Sequence, residues 1–62
     1  MRKACAIRDL EILKQEVSQA PGGSEGVSRV QTLIQNLRED CIGATAALRA
    51  GLEIRREFCG SY

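Results

Sequence analysis

Histidine and tryptophan are absent from this 62-residue chain, and Phe58 and Tyr62 are its only aromatic residues. Without imidazole, a structural zinc site needs four thiolates in closely spaced pairs, whereas the three cysteines, Cys5, Cys41 and Cys59, stand far apart. No metal or cofactor site is therefore expected. Two aromatics at one terminus give no stacking platform for single-stranded bases. An odd cysteine count argues against an intramolecular disulfide framework and points to an intracellular, reducing compartment, cytoplasm or nucleus.

A bias of charge is missing too. Nine basic residues face eight acidic ones, net +1, and the signs are interleaved along the chain, so neither nucleic acid nor an anionic membrane is expected as the main ligand. No apolar run approaches the roughly 18 residues of a membrane-spanning helix, because Arg8, Asp9, Arg38, Glu39, Asp40, Arg49 and Glu53 interrupt each candidate. Arg8 and Asp9 also cut short any signal peptide beginning at Arg2 and Lys3, and with Glu11 they are out of character for a mitochondrial presequence.

Residues 1–62 are long enough for one small domain. Chains of this size bury only about 60% of their unfolded surface and commonly need a disulfide, a metal or a second chain. With the first two excluded, association remains. General acid–base chemistry needs convergent titratable groups in a partly dry cavity. Glu39 and Asp40 are neighbours on a helical pattern and diverge into solvent. The chain is accordingly expected to be no enzyme, with no catalytic residues and no small-molecule substrate.

What is present is helical periodicity around one punctuated stretch. The single proline opens Ala20-Pro21-Gly22-Gly23-Ser24-Glu25-Gly26, read as a loop over 20–27. Before it, Ala6, Leu10, Leu13 and Val17 share one face of a helix over about 3–19, widened by Ile7. Ile12 falls off that face, as a singly exposed aliphatic or the mark of a second contact surface. After the loop, Ser28 and Gln31 have the spacing of a capping box, with Ser24 ahead of Glu25 as the alternative cap. Val27, Val30, Ile34, Leu37, Cys41, Ala44, Leu48 and Gly51 then hold heptad a and d spacing, continued by Arg55 and Phe58. This predicts a long helix over about 28–58, stopping at Gly60 and Ser61. Gly43 and Gly51 each cost about 1 kcal/mol in a helix, and a break near Ile42 and Gly43 is the alternative. The heptad phase runs through Gly43 without slipping.

The expected fold is all-α: an antiparallel helical hairpin with coiled-coil-like packing, completed by another chain. Paired positions sum to about 47 in such a hairpin, which sets Val17 on Val30, Leu13 on Ile34, Leu10 on Leu37 and Ala6 on Cys41 as the core. Cys41 is then a small core filler, with a Cys5–Cys41 bridge as the alternative. Helices of about 25 and 45 Å leave the second projecting past the first. The overhang carries Ala44, Ala47, Leu48, Gly51, Leu52 and Phe58, a partner interface on which Gly43, Ala47 and Gly51 form a face of little bulk. Glu25 with Arg29 and Arg49 with Glu53 are spaced for weak surface pairs. Cys59 has the position of a prenylation cysteine, but Gly60, Ser61 and Tyr62 do not complete that signal.

These features describe a structural or adaptor subunit that forms a homodimer or hetero-complex through the C-terminal half of the long helix. In size and two-helix layout the chain also resembles the small helical co-chaperones of bacterial type III secretion systems. The likeness in sequence is confined to Ala47-Leu48-Arg49-Ala50-Gly51-Leu52-Glu53-Ile54, under a fifth of the chain, and the loop falls earlier here than in that family. The resemblance implies a second role, a chaperone or regulatory inhibitor masking an apolar client surface. Nucleic-acid binding through Arg49, Arg55 and Arg56 is the remote alternative, marked by steep salt dependence.

Overall fold

Three helices are needed to bury the apolar stripes, and the chain supplies them in order: α1 (Lys3–Ser18), α2 (Gly23–Arg38) and α3 (Ala44–Phe58). The structure, a computed structural model, describes residues 2–60. Met1, Ser61 and Tyr62 lie outside the described residues, so the stop assigned to Gly60 and Ser61 is followed only as far as Gly60. No helix among the described residues is long and apolar enough to cross a membrane.

Helices α1 and α2 run antiparallel. Lys3 pairs with Asp40 at one end of the pair, Lys14 donates to Gln31 Oε1 at 2.9 Å near the middle, and Gly26 abuts Val17 at the other end. Helix α3 returns antiparallel to α2, with Phe58 beside Gly26 and Arg29 paired to Glu57 at 2.8 Å. It thus runs in the same direction as α1. The core between the helices is Ala6, Leu10, Leu13 and Val17 of α1, Val30, Ile34 and Leu37 of α2, and Ala47 and Ile54 of α3. Each fully buried Leu, Ile or Val side chain contributes about 1.5–3 kcal/mol relative to exposure.

The long helix over 28–58 does not form. It divides at Glu39–Gly43, and the segment expected to project folds back on α1 and α2. Asp40 takes a left-handed conformation, φ 58°. The N–H of Cys41 then reaches the carbonyl of Asn36 at 2.8 Å, and that of Asp40 reaches Leu37 at 3.3 Å, the two bonds of a Schellman C-cap. A left-handed non-glycine residue costs about 1–2 kcal/mol. Burying Ile54, 3% exposed, together with Ala47 offsets that. Five connecting residues suffice for the reversal.

Two further expectations are corrected by the same packing. Cys41 lies in the turn after α2 and is exposed, so it is not opposite Ala6 in the core; Cys5, Cys41 and Cys59 are free thiols and the Cys5–Cys41 bridge is not formed. The loop over 20–27 contracts to Gln19–Gly22, with Gly22 at φ 71°, and α2 starts at Gly23 instead of Ser28. A Cβ at Gly23 would stand 2.0 Å from the Val17 carbonyl oxygen, and one at Gly26 would stand 2.3 Å from Val17 Cγ1. These glycines therefore serve close approach of α2 to α1, and the contact outweighs their poor helix propensity. Ser28 consequently sits inside α2 and caps nothing; its carbonyl accepts from Thr32 Oγ1 at 3.1 Å.

Candidate protein-docking groove

On the side of the bundle away from α2, α1 and α3 leave an apolar groove of about 350 Å³ between them. Its floor is Leu10, Leu13 and Gly51, all buried. Gly51 sets its depth: a Cβ there would lie 2.8 Å from Leu10 Cδ2 and 3.2 Å from Leu13 Cδ2. Of the small-residue face read from the sequence, Gly51 thus meets a helix closely, but the helix is α1 of the same chain, and Gly43 has nothing within 4 Å.

The rims of the groove differ in charge. On α1, Asp9, Ile12 and Glu16 follow one another at helical spacing; on α3, Leu48, Leu52 and Arg55 do the same. Arg55 lies 3.9 Å from Glu16 across the groove, both side chains about half exposed, a pair worth no more than about 1 kcal/mol. Ile12 and Leu52 are 53% and 60% exposed, the large hydrophobic side chains left most open to solvent. Among the described residues, no polar or charged side chain is buried.

Two other concavities are poorer in apolar surface. The outer flank of α1 holds a wider one, about 560 Å³, bounded by Arg8, Glu11, Gln15 and Gln19, with Ile12 its only large apolar side chain. Between α2 and α3 a smaller one, about 290 Å³, is bordered by Arg29, Thr32 and Glu53.

Of the six residues expected at a partner interface, the groove contains Leu48, Leu52 and Gly51, the last as floor. Ala47 is fully buried, and Ala44 and Phe58 are half-buried against the core, Phe58 over Gly26. Ala47 packs wholly within the chain, and Ala44 and Phe58 do so in part. Ile12, off the core face of α1, stands on the opposite rim of the same groove. The expected Glu25–Arg29 pair gives way to Arg29–Glu57 between α2 and α3. The two-helix layout that carried the resemblance to type III secretion co-chaperones is replaced by three helices, with Ala47–Ile54 inside α3.

Fold and site together define a three-helix bundle with an open apolar groove between α1 and α3. No protein-family model, curated protein or solved structure matches the chain.

Proposed function

We propose that this chain is a non-catalytic protein-interaction module that docks a helical protein surface, an apolar ridge bordered by charge, in the groove between α1 and α3. The observation that carries the reading is the placement of Ile12 and Leu52, 53% and 60% exposed, on opposite rims of one groove. Singly scattered exposed aliphatics are ordinary. Here two of them converge with half-buried Leu48 over an apolar floor, the arrangement of a surface that a partner covers. A cleft between two parallel helices suits an amphipathic helix, whose anchors recur every three or four residues.

The test is site-specific photocrosslinking in the native cellular setting. A photoreactive residue at position 12 or 52 is expected to give a discrete adduct with a protein in stoichiometric amount. The same residue at Ser28 or Gln35, on the exposed side of α2, is expected to give none. Absence of adducts at 12 and 52, or equal yield at all four positions, refutes the reading.

A further inference from the structure

Resting on that reading, we propose that the surface covering the groove is a second copy of this chain, related by a twofold axis parallel to the helices, so that the two rims, α1 and α3, of each copy meet α3 and α1 of the other. The two rims differ in charge. The α1 rim carries Asp9 and Glu16 around Ile12, with Glu11 and Arg8 on its outer flank. The α3 rim carries Arg55 beside Leu48 and Leu52, and exposed Arg49 and Arg56 follow on the outer side of α3. The α1 rim is acidic and the α3 rim basic through Arg55, while Glu53 and Glu57 of α3 lie toward α2.

Levels along the bundle match as well. Glu16 stands level with Arg55, 3.9 Å away, and Leu10 and Leu13 stand level with Gly51. Because α1 and α3 run the same way, a twofold axis along the bundle preserves height while exchanging the rims. Ile12 then meets Leu52 of the second copy, and Glu16 meets the basic end of its α3, Arg55 and Arg56. The other face-to-face arrangement, about an axis across the helices, sets α3 on α3 and arginine against arginine. Like charges juxtaposed across an interface are strongly disfavoured, so the charge pattern selects the first. A net charge of +1 offers little long-range opposition to self-association.

Size sets the expected strength. The bundle's extents of 30 × 19 × 15 Å cap any one face at about 600 Å² per copy, so two copies together cover no more than about 1,200 Å², the lower limit of specific interfaces. A reversible dimer that populates with concentration is expected.

Sedimentation equilibrium over about 1–500 µM, under reducing conditions, is the first measurement, and about 1.4 kcal/mol per tenfold change converts its affinities. The double variants Asp9→Lys with Glu16→Lys, and Arg55→Glu with Arg56→Glu, are each expected to weaken dimerisation at least tenfold, with helicity retained by circular dichroism. Mixed in equal amounts they are expected to recover a heterodimer, which misfolded variants do not. Orientation is read from a nitroxide at Gln19→Cys after the native cysteines are replaced by serine. Labels at one end give a single short distance, whereas a separation near the 30 Å length of the bundle overturns the parallel arrangement. A chain that stays monomeric yet crosslinks through positions 12 and 52 to a different protein overturns the second copy and leaves the interaction reading standing. A monomer with no groove crosslink overturns both.

Discussion

At Gly23 the backbones of α1 and α2 come so close that an added Cβ would stand 2.0 Å from the carbonyl oxygen of Val17 and 3.1 Å from its carbon, atoms that cannot rotate away. Gly51 is tight against a different kind of neighbour, the Cδ2 of Leu10 at 2.8 Å, the far end of a flexible side chain. Gly43 has nothing within 4 Å and an ordinary φ of −78°. Three alanine substitutions should therefore rank clearly in urea denaturation. Gly23→Ala is expected to destabilise by about 2 kcal/mol or more, as overpacking against fixed atoms does. Gly51→Ala should fall within about 1 kcal/mol of neutral, because the alanine gain in helix propensity of about 1 kcal/mol opposes a shift of Leu10. Gly43→Ala should be neutral or stabilising by up to about 1 kcal/mol, through the unfolded state. Equal midpoints for the Gly23 and Gly43 variants would contradict the packing. Asp40, at φ 58°, makes a balanced case: Asp40→Gly removes a steric cost of about 1 kcal/mol but also the exposed pair with Lys3, worth up to about 1 kcal/mol, and should leave the thermal midpoint within about 4–8 °C of the parent. Sequence made these glycines visible as helix breakers, but what Gly26 and Gly51 approach, Phe58 and Leu10, lies more than 30 residues away along the chain, and no local rule reaches that far.

The elements themselves were legible to different degrees. Both stripes, Ala6-Leu10-Leu13-Val17 and Val30-Ile34-Leu37, are buried faces of helices, because alternating three and four spacing has one physical meaning wherever it occurs. The division between α2 and α3 was hidden because Cys41, Ala44, Leu48, Gly51 and Phe58 continue the spacing of Val30, Ile34 and Leu37, whereas the face that α3 buries is Ala47, Gly51 and Ile54. A periodic stripe reads the same whether it lies along one long helix or two that reverse. What decides is the burial gained on reversal, seen only when α1 is in place. Ile54, 3% exposed, is the deepest large anchor of α3. Ile54→Ala is expected to cost about 2–4 kcal/mol. Against a total of about 3–9 kcal/mol for a chain this long, that loss frees α3 before α1 and α2, which share the more extensive contact. Hydrogen exchange should show amides of Ala44–Phe58 losing protection first; uniform loss across all three helices would mean the bundle opens only as a whole.

For the molecule as a whole, stability and association are separable because different side chains serve them. Ile12 and Leu52 remain 53% and 60% exposed in the folded chain, so they add little to its folding free energy, yet they are the centre of the proposed contact. Binding that favours the folded state adds RT ln(1 + [L]/Kd), about 2.7 kcal/mol when the second copy is at a hundred times Kd. At about 4–8 °C per kcal/mol for a domain of this size, the thermal midpoint should rise by about 10–20 °C between dilute and concentrated samples. The double variant Ile12→Ser with Leu52→Ser should keep the midpoint of the dilute protein within a few degrees and abolish its rise with concentration. A core residue cannot behave this way: Leu10→Ala or Ile34→Ala, each at 2% exposure or less, should lower the midpoint at every concentration by an amount matching about 2–5 kcal/mol. Differential scanning calorimetry at three concentrations spanning two decades distinguishes the cases. If the double serine variant melts well below the parent in dilute solution, Ile12 and Leu52 serve folding after all, and the groove is part of the core. If dilute midpoints agree and only the concentration dependence disappears, the two side chains are exposed for the sake of what covers them.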